Sequence, residues 1–208
     1  MSLMDRGFAA AYDPVMRGVE HHVLAERRRS LLTGLSGHVV EVGAGTGANL
    51  RHIGPQVDRL TLFEPSRPMA DRLRAKLAAD PHPAAVVIEA PAEALPLDDG
   101  SADTVVSTLT LCTVDDLELA LGEIRRVLAP GGRLLLLEHV AGEGRLARVQ
   151  RAIEPIWKLI GRGCHLTRDT LTAVQRAGFD TSEIRPWRFP GRSPASPAIM
   201  GTARQPST

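Results

Sequence analysis

Residues 39–50 read Val-Val-Glu-Val-Gly-Ala-Gly-Thr-Gly-Ala-Asn-Leu. A short β-branched run carries an acid, Glu41, and is followed by glycine at every second position: Gly43, Gly45 and Gly47. Alternating glycines cost backbone entropy, so a chain keeps them where the main chain must turn tightly or meet a ligand directly. The pattern is a strand, a tight turn and a helix N-terminus, which exposes backbone N–H groups at its mouth. It commits the chain to an α/β fold.

Two ligand classes compete for such a loop. Gly43-Ala44-Gly45-Thr46-Gly47-Ala48 fits the G-x-G-x-x-G/A dinucleotide pattern. Glu41 argues the other way, because a carboxylate two residues before the first glycine disfavours a phosphate. It suits a cofactor with positive charge and no phosphate, such as S-adenosylmethionine. A nicotinamide oxidoreductase remains the more distant alternative.

The rest of the chain extends the α/β reading. Approximate helical spacing of Val23, Leu24, Leu31, Leu32 and Leu35 predicts a helix before the loop. The triplet Arg27-Arg28-Arg29 on it reads as a solvated face. Strands are expected over 39–42, 59–63, 85–88, 104–108 and 134–137. Helices are expected from Ala48 to Ile53, from Ser66 as N-cap through Ala79, and from Asp115 to Leu128. Pro130-Gly131-Gly132 reads as a sharp turn. Apolar strands linked by helices imply a parallel sheet covered on both faces, doubly wound by the right-handed crossover rule. Beyond His139 a helix is expected over 144–160, interrupted at Pro155, then another from Thr167 to Ala177 with Gly178 after it. The four prolines between 181 and 204 allow only short, edge-like strands.

Composition narrows the function classes. The 208 residues suffice for one domain with a full core. A formal net charge of +1 argues against broad nucleic-acid binding. Two cysteines make neither a metal cluster nor a disulfide framework, so a reducing cytoplasm is the default and no metal is expected. No run of about 18 apolar residues marks a membrane span, and no signal-peptide pattern is visible. Met1-Ser2-Leu3 before Met4 reads as a possible expression scar.

Further motifs join the glycine loop. Glu64-Pro65 ends the second strand, Ala92 to Asp103 precedes the fourth, and Arg125 to Arg133 precedes the fifth. Together these resemble the class I S-adenosylmethionine-dependent methyltransferases over residues 38–139. Thr108 to Val114, Glu138 to Ala141, Glu154 to Trp157 and Gly163 to Arg168 are similar to the methyltransferase-like 7 group, the alkyl thiol methyltransferases. Animal members of that group carry an N-terminal membrane-anchoring segment. This sequence shows none, so membrane attachment is not carried over.

The resemblance implies a Rossmann-like, doubly wound, mostly parallel seven-stranded sheet in a single domain. Residues 1–37 would form an N-terminal helical segment, 38–140 the cofactor-binding core, and 141–208 the helices and edge strands completing a substrate pocket. Gly43, Ala44, Gly45, Thr46 and Gly47 would pack under S-adenosylmethionine. Glu41 would act near its amino end, Glu64 with Pro65 at the ribose, and Thr108 at the methionine part. Pro91 stands where many relatives place an acid near the adenine, so Ala92 and Glu93 would serve it through backbone. On the acceptor side, Cys112 follows the fourth strand and His139 ends the fifth, at the carboxyl edge where open α/β sheets bind ligands. His139 could take a proton from a thiol, its ordinary pKa being near 6.5. Trp157, Cys164 and His165 would cap the pocket. The implied activity is methyl transfer to a small molecule, best a hydrophobic thiol. The alternatives are O-, N- or C-methylation of a lipid, quinone or other metabolite, or noncatalytic cofactor binding.

Overall fold

A reversal of strand order creates the crevice on which this chain is built. In the computed structural model, which describes residues 3–206 apart from 83, 162 and 192, seven strands form one sheet. They are β1 (Gly37–Val42), β2 (Val57–Phe63), β3 (Ala85–Ile88), β4 (Ala102–Thr108), β5 (Leu128–His139), β6 (Asp180–Arg188) and β7 (Pro197–Arg204). Their spatial order is β3-β2-β1-β4-β5-β7-β6. The chain winds outward from β1 in one direction and from β4 in the other, so the carboxyl ends of β1 and β4 flank the switch point. Pairing is parallel through β5, while β7 runs antiparallel to both β5 and β6. The expected seven-stranded, mostly parallel sheet is what forms.

Helices α1 (Leu3–Val19), α2 (Ala25–Leu32), α3 (Arg67–Ala79), α4 (Leu117–Val127), α5 (Gly144–Ile160) and α6 (Thr170–Arg176) complete the fold. A π-helical turn over Glu20–Leu24 joins α1 to α2. Two buried clusters cover the two faces of the sheet. Leu121, Ile124 and Val127 of α4 and Val174 of α6 pack on one face, against Val40, Val105 and Leu136. Leu24, Leu31 and Leu32 pack on the other with Leu73 of α3, against Val39, Leu60 and Leu137. Each fully buried leucine contributes about 2 kcal/mol. Neither cluster includes a described residue of α5. No described helix is long and apolar enough to cross a membrane.

Several local expectations differ from the structure, each for a physical reason. The helix expected from Ala48 to Ile53 is only a 3₁₀ turn over Leu50–His52. Six residues between a positive-φ glycine and Gly54-Pro55 cannot repay helix nucleation. The sharp turn expected at Pro130-Gly131-Gly132 is present, with Gly131 at φ 75°, but as a bulge inside β5, where the register against β4 jumps between Leu128 and Arg133. The helix expected to break at Pro155 runs on to Ile160. Pro155 is exposed, so water can serve the carbonyl that loses its partner there. The helix expected from Thr167 begins at Thr170, where the Asp169 carboxylate caps the Thr172 amide. β7 is no edge strand but lies between β5 and β6. It tolerates Pro197 because that residue opens the strand, and Pro186 falls on the true edge strand, β6.

Candidate functional site

The loop after β1 uses its three glycines for different purposes. All have positive φ, at 64°, 57° and 80° for Gly43, Gly45 and Gly47. A Cβ on Gly43 would collide with the Thr110 side chain, and one on Gly47 would lie 2.7 Å from Leu73 and 2.8 Å from Leu50. Those two glycines are demanded by the protein's own packing. Around Gly45 the nearest atom to such a Cβ is 3.9 Å away, so this backbone faces open space. Gly45 is where a ligand can lie against main chain. Ala44 is buried and donates its amide to the Phe63 carbonyl at 2.9 Å, stitching the loop to β2. Thr46 donates its hydroxyl to Asp13 of α1 at 2.5 Å.

Glu64 ends β2 with its carboxylate folded toward this loop. One oxygen accepts from the Gly45 amide at 2.9 Å, the other from the Ser66 amide at 2.8 Å. Burial raises its pKa, and the two backbone bonds hold it down again. Each carboxylate oxygen accepts more than one hydrogen bond, so capacity for hydroxyl donors remains. Pro65 beside it is exposed.

Glu41 lies at the other end of the crevice, 2 % exposed in β1. Its Oε1 accepts from the Asn49 side-chain amide at 2.9 Å, and its Oε2 has no partner. Burial pushes its pKa up to about 7. Asn49 also donates to Thr108 Oγ1 at 3.0 Å. Arg28 donates to Thr108 at 2.6 Å and to Asn49 Oδ1 at 2.9 Å, and pairs with Glu20 at 2.9 Å. Arg28 is 3 % exposed, so the reading of the Arg27–Arg29 triplet as a solvated face is wrong for its middle member. The signal was its spacing: residues 24, 28 and 31 lie on one helical stripe, and the other two are leucines. Arg27 does face outward, 5.3 Å over the Trp187 ring, and Arg29 pairs with Glu26 on the surface.

These residues fit S-adenosylmethionine and suit a dinucleotide poorly. A buried carboxylate oxygen without a donor invites a positive or hydrogen-bond-donating group and repels phosphate. Ala92 is buried beneath the same edge. The Glu93 carboxylate turns away and accepts from the amides of Asp115 and Asp116, 2.8 and 3.1 Å, ahead of α4. Only its backbone is left for a ligand.

The candidate acceptor side is assembled from distant segments. Glu138, fully buried at the end of β5, accepts from the Ser107 hydroxyl at 2.7 Å and from the amides of Thr110 and Cys112 at 3.0 and 3.2 Å. The turn it grips contains Leu109 at φ 59°, the one described non-glycine with positive φ. Such a conformation persists only when its surroundings enforce it. Residues 163–168 then pack on this turn. The His165 amide donates to the Cys112 carbonyl at 2.8 Å, and Arg168 to the Leu111 carbonyl at 2.8 Å. Glu154 of α5 accepts from His165 Nδ1 at 3.1 Å and from the Thr167 amide at 2.9 Å. The four segments 108–114, 138–141, 154–157 and 163–168 thus converge. Sequence reading quoted Glu138 within a motif but gave it no role.

The two candidate acceptor-side residues differ in setting. Cys112 is 1 % exposed, and the neighbouring Cys164 thiol and burial raise its pKa well above the ordinary thiol value. It is set to remain a thiol, not to present a thiolate. His139 is half-buried, and its ring stacks on Phe189 with centroids 4.6 Å apart. Its Nδ1 has no partner, and burial lowers its pKa. A neutral imidazole can accept a proton on its unprotonated nitrogen.

Comparisons with known proteins identify the family. Residues 40–136 match the methyltransferase domain family. The human thiol S-methyltransferase TMT1B is 42 % identical over 181 residues, covering 83 % of this chain and 73 % of that protein. The human thiol S-methyltransferase TMT1A is 35 % identical over 174 residues, covering 78 % and 71 %. Among solved structures, the YcgJ protein of Bacillus subtilis superposes with a TM-score of 0.75 at 16 % identity, over 90 % of this chain and all of that one, a likeness of fold. With the loop, the two carboxylates and these relatives in place, the chain is a class I S-adenosylmethionine-dependent methyltransferase and belongs to the thiol S-methyltransferase family.

Proposed function

We propose that this enzyme methylates the sulfur of a small hydrophobic thiol in the cytoplasm. The observation that carries the reading is the reach of the likeness to TMT1B. It covers 83 % of the chain, so it necessarily extends outside residues 40–136 into sequence that the cofactor does not require.

Bound S-adenosylmethionine supplies a methyl group on a positive sulfur, open to in-line displacement. The residues of this chain have four tasks toward it. Gly43, Ala44, Gly45, Thr46 and Gly47 offer backbone beneath it, Gly45 at closest approach. Glu64, next to Pro65, accepts from its ribose hydroxyls. Backbone at Ala92 and Glu93 borders its adenine. Glu41, with Thr108 and Asn49, faces its amino end. On the acceptor side His139 takes the thiol proton on its imidazole. A thiol has a pKa of about 8.5, so part of it is already thiolate at neutral pH and the assistance is modest. Cys112 contributes as a buried support of the acceptor wall.

An acceptor screen with labelled methyl donor, covering alkyl thiols, quinols and amines, tests the reading. Label should enter the thiols. Turnover of a quinol or amine with none of any thiol overturns it. For His139→Ala the rate loss should be a few-fold near neutral pH and vanish toward about pH 9, where the thiol ionises unaided. A loss independent of pH would assign His139 to positioning instead.

A further inference from the structure

The structure leaves one helix with two unlike faces and only one of them used. The inner face of α5 is tied down. Gln150, fully buried, accepts from the Gly142 amide at 2.7 Å and donates to the Pro194 carbonyl at 2.8 Å. Glu154 holds His165 and Thr167. The outer face carries Val149, Ile156 and Leu159 at 48 %, 66 % and 76 % exposure, with Ala152 exposed between them. The spacing 149, 152, 156, 159 draws one apolar line along the helix. Arg145 and Arg148 are exposed beside that line, and Arg151 is exposed farther round the same side of the helix. The one acid within α5, Glu154, is engaged on the inner side; Glu143 precedes the helix as its N-cap.

We propose that α5 lies on the surface of an anionic phospholipid bilayer, with Val149, Ile156 and Leu159 in the headgroup–acyl boundary and Arg145, Arg148 and Arg151 among the lipid phosphates. Charge complementarity selects this occupant. An apolar line flanked by arginines, on long stems that can bury their methylenes and lift their charge outward, matches an interface that is greasy below and negative above. A helix of 17 residues lies about 25 Å along such a surface without crossing it. Because the inner side of α5 builds the acceptor wall, docking would bring that wall to where hydrophobic molecules dissolve. This last consequence rests on the thiol reading; the docking itself does not.

The test is flotation of the purified full chain with vesicles of phosphatidylcholine alone and of phosphatidylcholine with phosphatidylglycerol. Wild type should float with the anionic vesicles, at least about tenfold less with the neutral ones, and progressively less as salt is added. The double variant Ile156→Asp, Leu159→Asp should remain with the soluble fraction, while its cofactor affinity and thermal midpoint stay unchanged. Substituting Gln for Arg145, Arg148 and Arg151 should abolish the salt-sensitive part. Failure of wild type to float, or equal flotation of the double variant, overturns the proposal. So does a wild-type dimer that the double variant splits into monomers, because the face would then be a contact between copies. None of these outcomes depends on which acceptor is methylated, so the thiol reading stands or falls separately.

Discussion

The cofactor end and the acceptor end of the crevice are built on opposite plans. The cofactor end is local: the loop 43–47 and the residue pair Glu64 and Ser66 lie within about one βαβ unit, and main-chain atoms do most of the shaping. The proposed acceptor end is a knot of four segments spread between residues 108 and 168, tied by buried Glu138 and half-buried Glu154. A local plan tolerates damage elsewhere but not on its own backbone. A knot fails when any one tie is cut.

The largest effect expected is at Gly45. A Gly45→Val variant puts a branched Cβ into the open space over the loop at φ 57°. Calorimetry should show S-adenosylmethionine binding abolished while the far-ultraviolet circular dichroism spectrum persists. Binding within twofold of wild type would mean that the open space at Gly45 is not the cofactor's.

Cutting the acceptor-side tie comes next. Glu138→Ala leaves the Ser107 hydroxyl and the Thr110 and Cys112 amides buried without an acceptor, at about 1–3 kcal/mol for each unsatisfied group. Chemical denaturation should show the stability loss, and acceptor kcat/KM should fall by a larger factor than cofactor affinity. Equal losses in both would erase the distinction between the two ends.

Glu64→Ala should be milder toward the fold and direct toward the cofactor. It removes the acceptor of the Gly45 and Ser66 amides, and cofactor affinity should drop by roughly 1–3 kcal/mol. Unchanged affinity would move the ribose away from this carboxylate.

The smallest effect separates stability from binding within the cofactor end. Glu41 has its pKa raised from 4.5 to about 7 by burial. The folded chain therefore holds a proton there that the unfolded chain releases. Its contribution to stability is complete below about pH 4.5 and is lost as pH rises through about 7. The shift corresponds to no more than roughly 3 kcal/mol. Glu41→Gln should raise the thermal midpoint of the free protein at about pH 8 by several degrees. A cationic ligand favours the carboxylate, so wild-type affinity for S-adenosylmethionine should increase between about pH 6 and pH 8, with proton release, and the variant should show a flat profile. A pH-independent wild-type affinity would remove Glu41 from the cofactor's amino end.

The sequence by itself determined the elements that depend on short-range chemistry. Three alternating glycines after a β-branched run force a strand and a left-handed turn wherever they occur. β3 begins and ends at the residues expected, and Ser66 is the N-cap of α3. The acids Glu41 and Glu64 were legible as the acid inside the first strand and the acid ending the second, and the structure places Glu64 against the Gly45 amide. Only the tertiary structure decided the rest. Arg28 sits in a run of three arginines, and nothing local says that the middle one turns inward to Thr108, 80 positions away. Glu138 could be seen as the end of a strand, but its partners come from the turn at Leu109, which residues 163–168 also tie down. Cys112 stands at the right place in the chain for an acceptor site, yet the fold buries its sulfur against Cys164. The physical reason is common to these cases. Backbone conformation is set over a few residues, whereas burial, and with it charge state and hydrogen-bond choice, is set by whichever distant segment arrives to cover the side chain.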